Sequence, residues 1–162
     1  MSRLLRATAL FEDALLVLIL AAMVGLAATQ IILRNLFDSA ILWADPMLRV
    51  GVLWVGMIGA MVATRGDKQI SVDAVSRFLP SRWKARVRVI TDLFTAVVSA
   101  VVAWSAFRLV VDDRTAGGTA VAFVPLWIFE TILPVAFAVI ALRYLLFAIK
   151  HLRLSAVDED SL

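Results

Sequence analysis

The chain has 162 residues, the length of one domain, and hydrophobic residues make up 62% of it. Charged residues make up only 18%, whereas soluble domains contain about 25%. A domain of this size has too much surface to hide so apolar a composition, so the sequence predicts an integral membrane protein. The chain has no cysteine, which excludes disulfides, thiolate metal sites and cysteine nucleophiles. Its one histidine, His151, is too few for a bis-histidine haem anchor.

The first predicted element is a membrane-spanning helix over residues 14–33. No charged residue lies between Asp13 and Arg34, and about 20 apolar residues cross a hydrocarbon core. The basic start of the chain also resembles a signal peptide. The apolar run is longer than a signal core, and Glu12 and Asp13 interrupt its entrance, so we expect this segment to be retained as a span.

Three further spans are predicted, at residues 45–64, 93–111 and 127–147. The second carries Arg49 in its first turns, one turn after Asp45, a spacing that allows the two side chains to pair. A charge costs roughly 2.5–3.5 kcal/mol at the centre of a membrane helix. We therefore expect Arg49 to contact protein, within this chain or in a partner, rather than lipid.

Small residues crowd the second and third spans. The second contains Gly51, Gly56, Gly59, Ala60 and Ala63, and among these small residues Gly56, Ala60 and Ala63-Thr64 form a smooth stripe that favours close packing against another helix. This pattern does not distinguish packing within the chain from packing against a partner subunit.

The fourth span contains Glu130 in its first turn and Arg143 near its last. We expect both at interfacial depth, in contact with water or headgroups. An alternative hypothesis makes Glu130 the proton-coupling group of an autonomous, dimeric four-helix transporter. Such a carboxylate should lie deep between helices, whereas Glu130 is close to Trp127 and the outer surface.

The segment between the second and third spans is basic. Over residues 71–79, Val72, Val75 and Leu79 fall on one face, which predicts an amphipathic helix on the cytoplasmic membrane surface. After Pro80, basic and apolar residues alternate; a lone strand would leave its backbone unpaired, so we expect a helical extension of the third span. The residues predicted to hold it against the headgroups are Arg82, Trp83, Lys84, Arg86 and Arg88.

Lysine and arginine concentrate at the two termini and in this middle segment, which predicts that both termini are cytoplasmic. The net charge of +3 could indicate nucleic-acid binding, but a short basic segment beside the membrane explains it better. The sequence therefore predicts an all-α integral membrane protein. It forms a single membrane domain over residues 1–162 with four spans and one interfacial helix. No catalytic motif is present, and we expect neither enzyme activity nor a cofactor.

A series of residues between positions 34 and 73 resembles one known family. The residues are Arg34-Asn35-Leu36-Phe37, Trp43, Asp45, Arg49, Trp54, Gly59-Ala60, Ala63, Arg65 and Ile70-Ser71-Val72-Asp73. In their order and spacing they are similar to the small membrane subunit, DctQ-like, of tripartite ATP-independent periplasmic (TRAP) transporters. Pro125-Leu126-Trp127, Pro134 and Leu142-Arg143 continue the resemblance.

The resemblance implies a role in a three-part secondary transporter of the bacterial inner membrane. A periplasmic binding protein delivers an organic acid, and a large multispanning subunit carries it across with a sodium gradient. The small subunit binds the large one and supports its scaffold. The residues expected to form that interface or to support it are Arg34, Trp43, Asp45, Arg49, Trp54, Gly56, Gly59, Arg65 and Asp73.

Overall fold

The computed structural model describes residues 2–39, 41–65, 81–121 and 124–159. The predicted interfacial helix at residues 71–79, with Asp73, lies outside the described residues. Described side chains cover residues 9–39, 41–65, 86–119 and 124–152.

The described part of the chain is almost entirely helical. Its helices are α1 (Ser2–Phe37), α2 (Ala44–Ala63), α3 (Ser81–Ala116), α4 (Leu126–Glu130) and α5 (Ile132–Glu159). Four stretches within them are long and apolar enough to cross a membrane: Ala9–Phe37, Ala44–Ala63, Arg86–Ala116 and Leu126–Leu152. The prediction of a mainly helical chain with four helices long and apolar enough to span a membrane is confirmed. Residues 81–92 are helical, as expected from the argument against a lone strand.

A tight turn connects α1 to α2. Asp38 adopts a left-handed backbone conformation with φ of 47°, which aspartate tolerates better than most residues. The Gln30 side chain then closes the turn, because its amide accepts a hydrogen bond from the Ile41 N–H at 3.2 Å and donates one to the Ile41 carbonyl at 3.3 Å. The turn is thereby tied to the last two turns of α1.

The connection between the third and fourth spans contains a small hairpin and a short helix. Helix α3 runs beyond the predicted residue 111 and ends at Gly117, whose φ of 72° is the left-handed conformation common after helices. Strands β1 (Thr119–Val121) and β2 (Val124–Pro125) then form a small antiparallel hairpin. Helix α4 follows and breaks at Thr131, because Pro134 has no N–H to donate to the Glu130 carbonyl.

The long helices pack side by side in the spatial order α1, α2, α5, α3. Helices α3 and α5 have the most extensive contact, while α1 packs mainly on α2. Ile58 and Met61 of α2 meet Ile132, Ala136 and Ile140 of α5 in the buried core. We call the end of the bundle with the chain termini the terminal end, and the end with the β-hairpin the hairpin end.

Candidate functional site

An ionic cluster of Glu12, Asp13, Arg65 and Arg143 joins helices at the terminal end. One carboxylate oxygen of Glu12 accepts from the Arg143 guanidinium at 2.7 Å, and the other accepts from Arg65 at 2.7 Å. Arg65 also donates to Asp13 at 2.7 Å. These residues lie on α1, just beyond α2, and on α5, so the cluster connects three segments distant in sequence.

Arg143 also binds the end of α2. It donates to the Met61 carbonyl and, at 3.3 Å, to the Thr64 hydroxyl. The last carbonyls of a helix have no partner within the helix and carry partial negative charge, so a cation there is favourable. Arg143 therefore fastens the end of α2 to α5.

The cluster is largely shielded from solvent on its Glu12 side. The side chain of Glu12 is 15% exposed and those of Arg65 and Arg143 are 21% exposed, whereas Asp13 is 54% exposed. Burial disfavours the charged form of Arg65, but its hydrogen bonds to Glu12 and Asp13 outweigh burial and raise its pKa above the ordinary value. The raised pKa keeps Arg65 a cation beside Glu12 and Asp13.

The expectation that Arg143 meets water or headgroups is wrong. Arg143 lies at the depth where α2 ends, and the Glu12 carboxylate and the α2 carbonyl both lie within its reach. Protein groups therefore take the place of headgroups as its partners. The long arginine side chain allows this because it extends from α5 across to α1 and α2.

A second polar contact at the terminal end joins α3 to α5. The Nδ1 atom of His151 lies 2.8 Å from a carboxylate oxygen of Asp92, and both residues are buried. A buried carboxylate is stable only with hydrogen-bonding or charged partners, so this contact fixes the register of the two helices.

The hairpin end has its own tertiary contacts. The Trp54 indole N–H donates to the Phe129 carbonyl at 3.0 Å, which ties α2 to α4. The Oε2 atom of Glu130 is buried and has no hydrogen-bond partner among the described residues. Glu130 ends α4 close to the hairpin rather than deep between the spans. The Arg114 guanidinium lies over the Trp127 ring.

The other predicted interface residues at the hairpin end are exposed. Arg34 lies in the last turn of α1, Trp43 precedes α2, and Asp45 lies in the first turn of α2. Arg49 is exposed too, and among the described residues neither Asp45 nor any other group forms a hydrogen bond or ion pair with it. The pairing of Arg49 within this chain is thus not observed, and its contact with a partner stays a prediction.

The glycines of α2 differ in what surrounds them. A Cβ at Gly51 would lie 2.6 Å from the sulfur of Met23, so the Met23 side chain of α1 packs directly against this position. A Cβ at Gly59 would touch Leu16 at 3.8 Å, in ordinary contact. Gly56 has open space around it. Of the two glycines in the predicted interface, Gly59 faces α1 within the chain, and Gly56 lies on a free surface.

The predicted membrane-surface residues lie on the first turns of α3. Arg82, Trp83 and Lys84 fall on its helical backbone. Arg86 is exposed and Arg88 is half-buried, and each interacts with another residue. Their position at the terminal end agrees with the predicted helical extension, while their contact with lipid stays a prediction.

Sequence reasoning missed two parts of this arrangement. Glu12 and Asp13 were considered only as a break in the apolar run, and Asp92 was not considered. Each is a carboxylate at the edge of a predicted span, where an arginine or histidine on another span has the matching depth. The matching depth of an acid and a cation on different spans could have indicated an ion pair, but it does not show which acid meets which cation.

Among the described residues, no group of three or more metal-ligating side chains could hold an ion. The ion pairs lie near the terminal end of the spans, and the buried core between α2 and α5 is apolar. The fold therefore defines a multi-pass helical membrane protein whose charges hold helices together.

The comparisons with known proteins specify this class further. Residues 23–154 match the family of tripartite ATP-independent periplasmic transporters, DctQ component. The chain belongs to this family and is a small TRAP permease subunit of DctQ type, a transporter component and not an enzyme.

Two curated relatives are similar over part of the chain. One is the isethionate TRAP transporter permease protein DctMQ of Oleidesulfovibrio alaskensis, 29% identical over 66% of this chain and 17% of the relative. The other is the sialic acid TRAP transporter permease protein SiaT of Haemophilus influenzae, 26% identical over 48% of this chain and 12% of the relative. The chain thus corresponds to less than a fifth of either relative. No solved structure matches it significantly.

Proposed function

We propose that this chain is an accessory scaffold subunit that binds a large multispanning TRAP subunit in the bacterial inner membrane. The observation that carries the proposal is the ionic cluster, which ties α1 to α2 and α5. Its charged groups pair with one another, so they hold the helices together rather than bind a transported solute. A subunit that holds a moving neighbour has to be rigid, and these cross-links supply rigidity at the terminal end.

The length of the relatives supports a large partner. Both are permease proteins in which the segment similar to this chain is a minor part, so most of each relative is a different region. In this chain's transporter that remaining region would be supplied by the large subunit. The exposed residues Trp43, Asp45 and Arg49 are candidates for contact with it.

The complete transporter would use a periplasmic binding protein to capture an organic acid and a sodium gradient to drive its uptake. The two relatives are named for isethionate and sialic acid, which are organic acids. Both termini of this chain would be cytoplasmic, with residues 71–79 and the basic start of α3 against the inner membrane surface.

Co-purification tests the proposed partnership. The chain is co-expressed with a tagged large TRAP subunit from the same genome, and the two are expected to elute as one complex. Arg49→Gln is expected to reduce the recovered complex at least several-fold, because it removes the charge that needs a protein partner. Arg114→Gln is the matched control, since Arg114 lies over Trp127 within the chain, and it should leave recovery unchanged.

Transport distinguishes this proposal from an autonomous transporter. Vesicles with both membrane subunits and the binding protein should accumulate an organic acid under a sodium gradient, and vesicles with this chain alone should not. Proton-coupled flux by the chain alone that is lost in Glu130→Gln would overturn the proposal. The position of Glu130 at the hairpin end does not favour that outcome.

A further inference from the structure

An apolar groove opens between α3 and α5. Its volume is about 910 Å³, within the range of ligand sites. It runs from Leu93 to Val110 along α3, about 25 Å at the helical rise, which is close to the thickness of a hydrocarbon core. Small side chains from both helices leave it open: Ala96, Ala100, Ala103, Ala138 and Ala141.

One arginine lies beside the hairpin end of this groove. Trp104 lines the groove, and the guanidinium of Arg108 lies 5.5 Å from the centre of its ring. Arg108 is exposed, about two turns before the end of α3 and still within the stretch apolar enough to span. The aromatic ring holds the guanidinium in place through a cation–π contact and leaves N–H groups available.

No acid among the described side chains balances the charge of Arg108. Among the described side chains no carboxylate forms an ion pair with Arg108, although Asp112 lies one turn further along α3. An arginine at this depth is costly unless an anion or water reaches it. A phosphate accepts two parallel hydrogen bonds from a guanidinium, so it is the anion that suits this position in a bilayer.

We propose that the groove binds a membrane phospholipid, with an acyl chain along the alanine-lined surface and the phosphate on Arg108. The charge of Arg108 complements the phosphate, and the groove below it is apolar along nearly the thickness of one membrane core. A transmembrane helix from a partner would match Arg108 only if it carried an acid at the same depth, whereas every phospholipid carries a phosphate. This inference does not depend on the proposed scaffold role.

Native mass spectrometry of the full-length chain tests the proposal. The protein is purified in detergent, stripped of loosely held lipid, and titrated with phosphatidylglycerol or with diacylglycerol of the same chains, which lacks the phosphate. We expect one phosphatidylglycerol per chain, bound at least tenfold more tightly than diacylglycerol. Equal binding of the two lipids would overturn the role of Arg108.

Variants separate the two parts of the site. Arg108→Gln should abolish the preference for phosphatidylglycerol, and Arg108→Lys should retain part of it because the cation remains. Ala100→Phe should weaken both lipids by filling the groove. The matched controls are Arg114→Gln, another arginine over a tryptophan, and Val98→Phe, an exposed residue of α3 that does not line the groove. Both should bind as the wild type.

Two outcomes overturn the proposal. If Arg108→Gln and Ala100→Phe retain as much phospholipid as the wild type, the lipid is an unspecific shell around the helices. If cysteines at Ala100 and Ala138 cross-link to a helix of the large subunit and the complex holds no lipid there, the groove is a protein-docking surface. Because Arg108 and Ala100 are both exposed, their substitution should not unfold the chain.

Discussion

Glu12 is the residue through which three segments of this subunit are connected. Its two oxygens accept hydrogen bonds from Arg65 and Arg143, and only 15% of its side chain is exposed. Asp13, its neighbour, contacts Arg65 alone and is 54% exposed. Because water screens the second contact far more than the first, these adjacent acids should contribute very differently to stability.

Substitution of the two acids tests this difference. Glu12→Gln should lower the free energy of unfolding by roughly 2–3 kcal/mol, because it leaves two shielded guanidinium groups without their shared carboxylate. Asp13→Asn should cost less than about 1 kcal/mol. Both are measured by denaturant titration in detergent followed by tryptophan fluorescence. Equal costs would show that the Glu12 contacts are no stronger than surface ion pairs.

The buried Asp92–His151 contact allows a double-mutant cycle. Asp92→Asn and His151→Gln should each destabilise the chain, and the double variant should cost about 1–2 kcal/mol less than the sum of the two. The control cycle pairs Asp112→Asn with His151→Gln, since Asp112 is exposed at the other end of α3. Additive effects in the Asp92 cycle would contradict an energetic contact between these side chains.

Among the helices, α1 is held by the fewest neighbours. It packs mainly on α2, with the Met23 side chain against Gly51, and the ionic cluster secures its terminal end. Many of its large apolar side chains, such as Leu18 and Ile31, are exposed. In a membrane these side chains face lipid or another subunit, so glycine packing and ion pairs determine the position of α1.

A comparison of two glycines in α2 tests this packing. Gly51→Leu should lower stability by about 1–3 kcal/mol, because the added side chain would overlap Met23 and separate α1 from α2. Gly56→Leu should change it by no more than about 0.5 kcal/mol, since Gly56 has open space around it. Thermal unfolding in detergent measures both. A larger cost at Gly56 would place another element against that face.

The predicted interfacial helix at residues 71–79 can be tested with spin labels. Labels at Val72, Val75 and Leu79 should be accessible to oxygen from the bilayer, because these residues share the apolar face. A label at Ser76, which falls away from that face, should be accessible to a water-soluble relaxing agent. Free aqueous mobility at all four positions would refute the interfacial helix.

At the scale of the whole molecule, the order α1, α2, α5, α3 leaves α1 and α3 at opposite edges. The groove lies on the α3 side and the ionic cluster lies toward α1. The two halves of the chain are therefore joined mainly through the contact of α2 with α5. Arg143 reinforces that contact at the terminal end, and Trp54 ties α2 to the short helix α4 that precedes α5.

Orientation in the membrane is tested with single cysteines, which are simple to introduce because the chain has none. Cysteines at Asp38 and Gly118 should react with an impermeant thiol reagent added to intact spheroplasts. A cysteine at Lys68 should react only after the membrane is opened, because basic segments remain on the cytoplasmic side. The reverse pattern would mean that the termini are periplasmic.

The sequence by itself determined the class, the number of spans and the approximate position of each. Long apolar runs specify membrane helices because every backbone polar group must be satisfied within the segment. The boundaries were less accurate. Helix α3 continues to Ala116, beyond the predicted end at residue 111, and a hairpin follows it, because turn geometry depends on local backbone conformation at residues such as Gly117.

Only the tertiary structure decided which charges meet. Glu12 and Arg143 are 131 positions apart, and Asp92 and His151 are 59 apart, so no helical or strand spacing relates them. The order in which the spans pack brings these groups together, and many orders are compatible with four apolar segments. For the same reason the sequence placed Arg143 in the headgroups, and the structure places it against Glu12 and the end of α2.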